Sequence, residues 1–285
     1  RTKYKFLLEQ YGYEKDDLEE IPMFTQNMIY YPTNKVRFYV NKENVVNSGI
    51  INSSETDKIV DYIDIDLPKS GLYKNQILML DILSKNDWKR PIYFTGGSYK
   101  DSEYIWMKDF LQLDGLVYKL VPIKTPVNQE NPYQMGRIER DRMYNIIKKW
   151  EWGNSDSPVI YHDPETRKNS ISFRGNLHRL ANKFIDNGEF EKANEIMDLS
   201  FEKMPIDFFE YYSLSEPYIL SYYKIGENQK AQNLYKTIEA KYLDQIKYYS
   251  ISMREHEDIF DIGEFAENIF TLSLIHISEP TRRLV

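Results

Sequence analysis

The stretch from Leu78 to Phe94, Leu-Met-Leu-Asp-Ile-Leu-Ser-Lys-Asn-Asp-Trp-Lys-Arg-Pro-Ile-Tyr-Phe, constrains the fold more than any other. Ile77, Leu78, Met79, Leu80, Ile82 and Leu83 lie on every side of a helix, and a helix apolar all round is expected to be buried. Lys85-Asn-Asp87 reads as its polar stop. Arg90 precedes Pro91 and is pushed toward an extended conformation. Pro91 can open a strand but not sit inside a sheet, so Ile92-Tyr93-Phe94 is expected as a short strand, ended by Gly96-Gly97. Buried helix, turn and strand together make the unit of a layered α/β or α+β domain with a small sheet. Asp81 stands alone in that apolar helix. A buried carboxylate is paired or neutral, so Asp81 is read as a structural residue with Arg90 or a backbone cap as partner.

The rest of the first half supplies further strands. Lys35 to Val40 has β-branched and aromatic content. Ile59 to Leu67 alternates, with Ile63, Ile65 and Leu67 on one side and Asp64 and Asp66 on the other, the period of a half-buried strand. Asp64-Ile-Asp66 has the spacing of a metal-holding Asp-x-Asp pair, which needs a loop beside a nucleotide site. Inside an alternating strand the same spacing is the solvent face, and no metal is expected there. The turn Phe94-Thr-Gly-Gly-Ser98 lacks the Lys of a phosphate-binding loop and the third Gly of a dinucleotide fingerprint, so no cofactor is expected. Tyr104 to Leu111 reads as a helix, Leu116 to Val121 as a strand, and Ile138 to Trp150 as an amphipathic helix. Residues 124–137, with Pro126, Asn128, Asn131, Pro132 and Gly136, read as a surface connection.

From Ser172 the period changes. Leu177, Leu180, Ala181, Phe184, Gly188, Phe190, Ala193, Met197 and Pro205 fall at the positions of a tetratricopeptide repeat. Gly188 is expected in the left-handed turn between its two helices, and Ala193 at the close helix contact. Tyr222, Gly226, Ala231 and Tyr235 repeat the pattern 226 − 188 = 38 residues on. The usual period is about 34, so an insertion is expected around Ile206 to Phe209, with Pro217 near the start of its helix. A further helix is expected from about Leu243 toward Phe270. The fold class is therefore an α+β or α/β small-sheet domain followed by an α-helical, tetratricopeptide-like hairpin array.

Composition removes several functions. A net charge of −7 and a pI near 5.3 argue against a nucleic-acid partner. No Cys means no disulfide, no Cys-type zinc site and no Cys nucleophile. His162, His178 and His256 have no partner at metal or triad spacing, and His178 is expected to be packed or solvent-facing. No catalytic residue is assigned. The 24 Tyr would serve as stacking surfaces or reflect an AT-rich genome, and base composition is the reading adopted. No run of about 18 apolar residues is present, so no transmembrane segment is expected. The chain opens at Arg1 without Met, as expected of a fragment.

Several pieces carry a family resemblance. The helix reading Leu80-Asp-Ile-Leu83, then Asn86, Trp88, Arg90 and Pro91-Ile-Tyr-Phe94, is one. Leu113-Asp-Gly-Leu-Val-Tyr-Lys-Leu-Val-Pro-Ile123, Trp150-Glu-Trp-Gly-Asn154 and Ser172-Phe-Arg-Gly-Asn-Leu177 follow in the same order. The ordered set resembles the carboxy-terminal part of a bacterial multi-spanning membrane family, glycosyltransferase family 117, similar to protein O-mannosyltransferases. It implies a non-catalytic region on the periplasmic face of the inner membrane, with catalysis in an upstream membrane domain. Its partners would be that membrane domain and an acceptor protein or peptide. The region would position the acceptor or stabilise the membrane part. A periplasmic tetratricopeptide-type scaffold that binds a protein or peptide is the rival, and an independent enzyme built on Asp81, Asp64 and Asp66 a third. Trp88, Arg90, Trp150 and Trp152 are the binding candidates. Trp150 and Trp152 offer a sugar platform or a helix end docking on the sheet layer, and docking is the reading adopted.

The expected divisions are a helical lead-in over 1–30, an α/β domain over 31–125, a linker and docking helix over 126–171, and repeats over 172–271. Leu272-Ser-Leu-Ile-His-Ile-Ser-Glu-Pro-Thr-Arg282 resembles the translation of a sequencing adapter, so 272–285 are set aside.

Overall fold

The computed structural model describes residues 35–67, 72–95, 107–127 and 135–252. The expectations for 1–30, for Gly96-Gly97 and Ser98, for His256 and for 272–285 lie outside them. The chain divides into two compact units: residues 1–112 with 117–137, and residues 113–116 with 138–285.

In the first unit, β1 (Lys35–Tyr39) pairs antiparallel with β2 (Tyr62–Asp66), with Val36 opposite Ile65 and Phe38 opposite Ile63. Alternation does what it should: Ile63 and Ile65 are buried, and Tyr62, Asp64 and Asp66 are not. Asp64 receives both arms of Arg37, at 2.7 and 2.8 Å. Helix α1 (Lys42–Asn47) is capped by Asn41, whose side chain accepts from the Asn44 amide. Helix α2 (Lys74–Asn86) leads to β3 (Tyr93–Thr95). The second sheet has the order β3-β5-β4, with β4 spanning Leu111–Asp114 and β5 Val117–Leu120. Val45, Ile50, Ile63, Ile65, Leu111, Leu120 and Val121 form the centre of this unit's core.

Helix α2 departs from expectation. Leu78 and Ile82 are 56% and 58% exposed, and the apolar side chains packed on the core are Leu80 and Leu83. The buried member is Gln76, whose side-chain oxygen accepts from the Tyr73 amide at 2.8 Å and so caps the helix start. Asp81 is accordingly not a buried carboxylate. It is half-exposed and takes Lys85, one turn on, at 2.7 Å, leaving Arg90 exposed and out of the pair. The helix ends through two consecutive left-handed residues, Asp87 (φ 46°) and Trp88 (φ 58°). The helix expected up to Leu111 is also corrected: a short 3-10 turn at Lys108–Phe110 gives way to strand β4.

In the second unit α3 spans Arg140–Ile147, burying Met143 and Ile147. Trp150 lies beyond its end. Helix α4 (Pro164–Ile185) starts well before Ser172, because Asp163 caps it through the amides of Glu165 and Thr166 and Pro164 takes the first position. It packs against α5 (Phe190–Lys203), and α7 (Glu216–Ile225) against α8 (Asn228–Ser252). Gly188 (φ 76°) and Gly226 (φ 91°) occupy the corresponding turns in the left-handed region. Where an insertion was expected stands a four-residue helix, α6 (Ile206–Phe209). Helix α8 runs unbroken through Leu243, so no new helix begins there. The fold is thus small antiparallel sheets followed by a helical array.

Candidate functional site

The second unit holds a half-open cavity of about 480 Å³. Its walls come from the β4–β5 turn, the loop after α3, helix α4, the end of α5 and α6. Three aromatic side chains meet there. Trp150 lies edge-on to Trp152 at 5.3 Å between ring centroids and to Phe173 at 5.2 Å, and Trp152 lies 5.3 Å from Phe173. Such edge and tilted geometries set the positive ring edge against the negative face. All three rings are half-buried.

Each is held by a specific neighbour. Gly115 turns the β4–β5 hairpin at φ 74°, and a methyl group there would come within 2.8 Å of Cζ2 of Trp150. The Gly115 carbonyl accepts from Nδ2 of Asn176 at 2.9 Å, and Arg142 Nε reaches the nearly buried carboxylate of Asp114 at 2.8 Å. The three ordered pieces Leu113-Asp-Gly115, Trp150-Glu-Trp152 and Ser172 to Leu177 therefore converge on one place.

Arg174, from the last of these pieces, shapes the far wall. It is fully buried, and its guanidinium donates to the carbonyls of Met204 and of Glu210. Burial pulls its pKa down to about 10. A charge taken out of water must be hydrogen-bonded, and here the bonds fix the segment from Met204 to Glu210 that contains α6 and presents Met204 and Phe209 to the cavity. The Tyr218 hydroxyl donates to the Arg174 carbonyl at 2.8 Å. Ser155 Oγ donates to the Lys203 carbonyl at 2.7 Å, tying the Trp152 loop to the end of α5.

The polar lining is of two kinds. Thr166 and Ser170 spend their hydroxyls on Asp163 and on the Arg167 carbonyl. Glu151, Asn154 and Asn169 are exposed at the cavity and have no side-chain partner among the described residues. His162 is 8% exposed, its ring 4.8 Å from that of Phe209, and its Nε2 is buried without a hydrogen-bond partner among the described residues. No Lys or Arg is among the described lining residues.

The four binding candidates thus separate. Trp150 and Trp152 line the cavity, where their rings meet Phe173 and each other, and Trp150 also lies against Gly115 of the β4–β5 turn. Trp88 is a core residue of the first unit: it is 8% exposed, and Nε1 donates to the Tyr39 carbonyl at 3.0 Å. The cavity beside it is about 20 Å³, room for about one water. The Arg90 side chain is exposed and its carbonyl accepts from Asn86 at 2.7 Å. His178 is packed, its Nε2 2.9 Å from Ser221 Oγ, and burial lowers its pKa to about 4. Neither His178 nor Ser221 lines the cavity. Sequence reasoning overlooked Phe173, although it lies within Ser172 to Leu177, and Asn169, which carries no local signal; it named His162 but gave it no role. Among the described residues no three His, Asp or Glu are grouped to hold a metal, and no helix is long and apolar enough to cross a membrane.

Comparison with known families finds the TMEM260-associated domain 2 over residues 3–142, slightly under half of the 285-residue chain. The similarity fits a region associated with a membrane protein. It covers the sheets and stops inside α3, so most of the cavity lies beyond it. No curated protein and no solved structure gives a match.

Proposed function

We propose that the chain is the non-catalytic, extracytoplasmic carboxy-terminal region of a multi-spanning membrane glycosyltransferase that draws on a lipid-linked sugar, similar to protein O-mannosyltransferases. It positions the acceptor or steadies the membrane domain on the periplasmic side. The similarity of residues 3–142 to a membrane-protein-associated domain carries this reading. The convergence of the ordered pieces on one cavity supports it. The carboxylates on which an independent enzyme would rest are committed elsewhere: Asp81 to Lys85, Asp64 to Arg37 and Asp66 to Lys35, all at the surface. The purified chain, given lipid-linked and nucleotide sugar donors with acceptor peptide, should form no glycosylated product by intact mass. Deleting the region from its membrane protein should reduce transfer. Turnover by the purified chain that vanishes in Asp81→Asn or Asp64→Asn, or full transfer after the deletion, would overturn the proposal.

The rival reading, a tetratricopeptide-type scaffold holding a peptide, is favoured by one observation. Ala193 and Ala231 are both fully buried, each in the second helix of its pair. The two readings are compatible where the peptide is the acceptor.

A further inference from the structure

We propose that the cavity between the Trp152 loop, α4 and α6 is a binding site for a neutral sugar ring. The inference rests on the cavity's own lining and does not depend on the membrane-protein reading.

Size comes first. A volume of about 480 Å³ falls within the range of small-ligand sites, about 300–1,000 Å³. It suits a compact ring or a pair of rings rather than an extended polypeptide. Charge comes second. With no Lys or Arg among the described lining residues, the wall meets an anion only with the His162 imidazole and amide or hydroxyl groups, too little to offset the water the anion loses. A single carboxylate, Glu151, is too little to hold a bare cation in a site that offers no further acidic group among them. The ligand is therefore uncharged.

The lining chemistry then selects within that class. Trp150, Trp152 and Phe173 line the cavity with half-buried aromatic rings, whose faces are negative. The axial C–H groups of a pyranose are apolar and weakly positive, and they match such faces. Around them stand side chains without partners: the Glu151 carboxylate accepts, and the Asn154 and Asn169 amides both accept and donate. A sugar hydroxyl also does both, so one ring can satisfy acceptors and donors at once. A purely apolar ligand would leave these hydrogen-bonding groups unused.

The test is titration of the whole chain with methyl glycosides of glucose, galactose and mannose and with N-acetylglucosamine. Binding is read from the indole N–H resonances. We expect at least one of these sugars to shift the Trp150 and Trp152 signals saturably while leaving Trp88 unmoved. Glu151→Gln and Asn169→Ala change exposed side chains, so the fold is expected to stand. Each should weaken binding by about ten-fold, the loss expected for one hydrogen bond, larger where it is charged. Trp152→Phe should bind more weakly but still bind. Equal binding of a free sugar and its methyl glycoside would mark a ligand carried on a lipid or polypeptide through its anomeric oxygen. A strong preference for the free sugar would mark a free saccharide. The site holds in both cases. It is overturned if none of the four sugars gives a saturable shift, or if Glu151→Gln and Asn169→Ala bind like the unmodified chain. Tighter binding of inorganic phosphate or of an aromatic dipeptide than of any of these sugars would also overturn it.

Discussion

At Gly115 one hydrogen atom stands where a methyl group would meet an indole. Its backbone is left-handed, a conformation that costs a residue with a β-carbon about 1–2 kcal/mol, and the added carbon would lie 2.8 Å from Trp150 Cζ2 and 3.3 Å from Ile146. Gly115→Ala should therefore lower stability by at least that conformational amount and push Trp150 out of its place beside Phe173. Denaturant unfolding and tryptophan emission would both register the change, and a variant unaltered in both would show that Gly115 does not position the ring. Asp87 and Trp88 show the opposite economy. Neither is glycine, yet both are left-handed, at a cost of about 1–3 kcal/mol each. Burial of the Trp88 indole and its bond to the Tyr39 carbonyl hold the turn in place. The sequence signalled the stop, through Lys85-Asn-Asp87, but not this geometry. An indole that reads as a binding surface in one dimension is buried by a strand 49 positions away.

Whole elements were easier to read than single roles. Strands β1, β2, β3 and β5 follow from alternation, aromatic content and Pro91, because period two and a missing amide hydrogen act locally. Strand β4 was missed: the expected helix ended on Leu111, and Leu111-Gln-Leu-Asp114 alternates for only four residues. Helix α2 was read correctly as a helix and wrongly as buried. Apolar side chains all round say nothing about which side meets the core, and here Leu80 and Leu83 do while Leu78 and Ile82 face water. The repeat register makes a sharper claim. Ala193 and Ala231 are fully buried at helix contacts, where a larger side chain must displace its neighbours. Ala193→Leu and Ala231→Leu should each cost on the order of 1–3 kcal/mol by overpacking. At an exposed position the same change stays within about 0.5 kcal/mol. If both variants unfold at the denaturant concentration of the unmodified chain, the tetratricopeptide alignment fails, and the scaffold reading with it.

At the scale of the molecule, a small-sheet half followed by a helical half was legible, because the apolar period changes along the chain. What a linear reading cannot supply is that residues 113–116 leave the sheet unit and join the helical one. The reason is physical: Asp114 and Gly115 offer a carboxylate and a carbonyl to Arg142 and Asn176, from two different helices, and Gly115, lacking a side chain, leaves room for the Trp150 ring. A segment of four residues has no period to announce this. It yields a test of the division itself. A chain of residues 138–252 lacks the segment, whereas one of residues 111–252 keeps it. The shorter chain leaves Asn176 without its carbonyl and Arg142 without its carboxylate, and it uncovers the part of Trp150 that lies against Gly115. Lost hydrogen bonds of this kind are worth about 1 kcal/mol each, so the shorter chain should melt lower by about 4 °C or more. Its tryptophan emission should move to the red, as an indole does on gaining water. Equal melting points and equal emission from the two would mean that residues 113–116 do not belong to the helical unit, and that the cavity wall they form is not part of its fold.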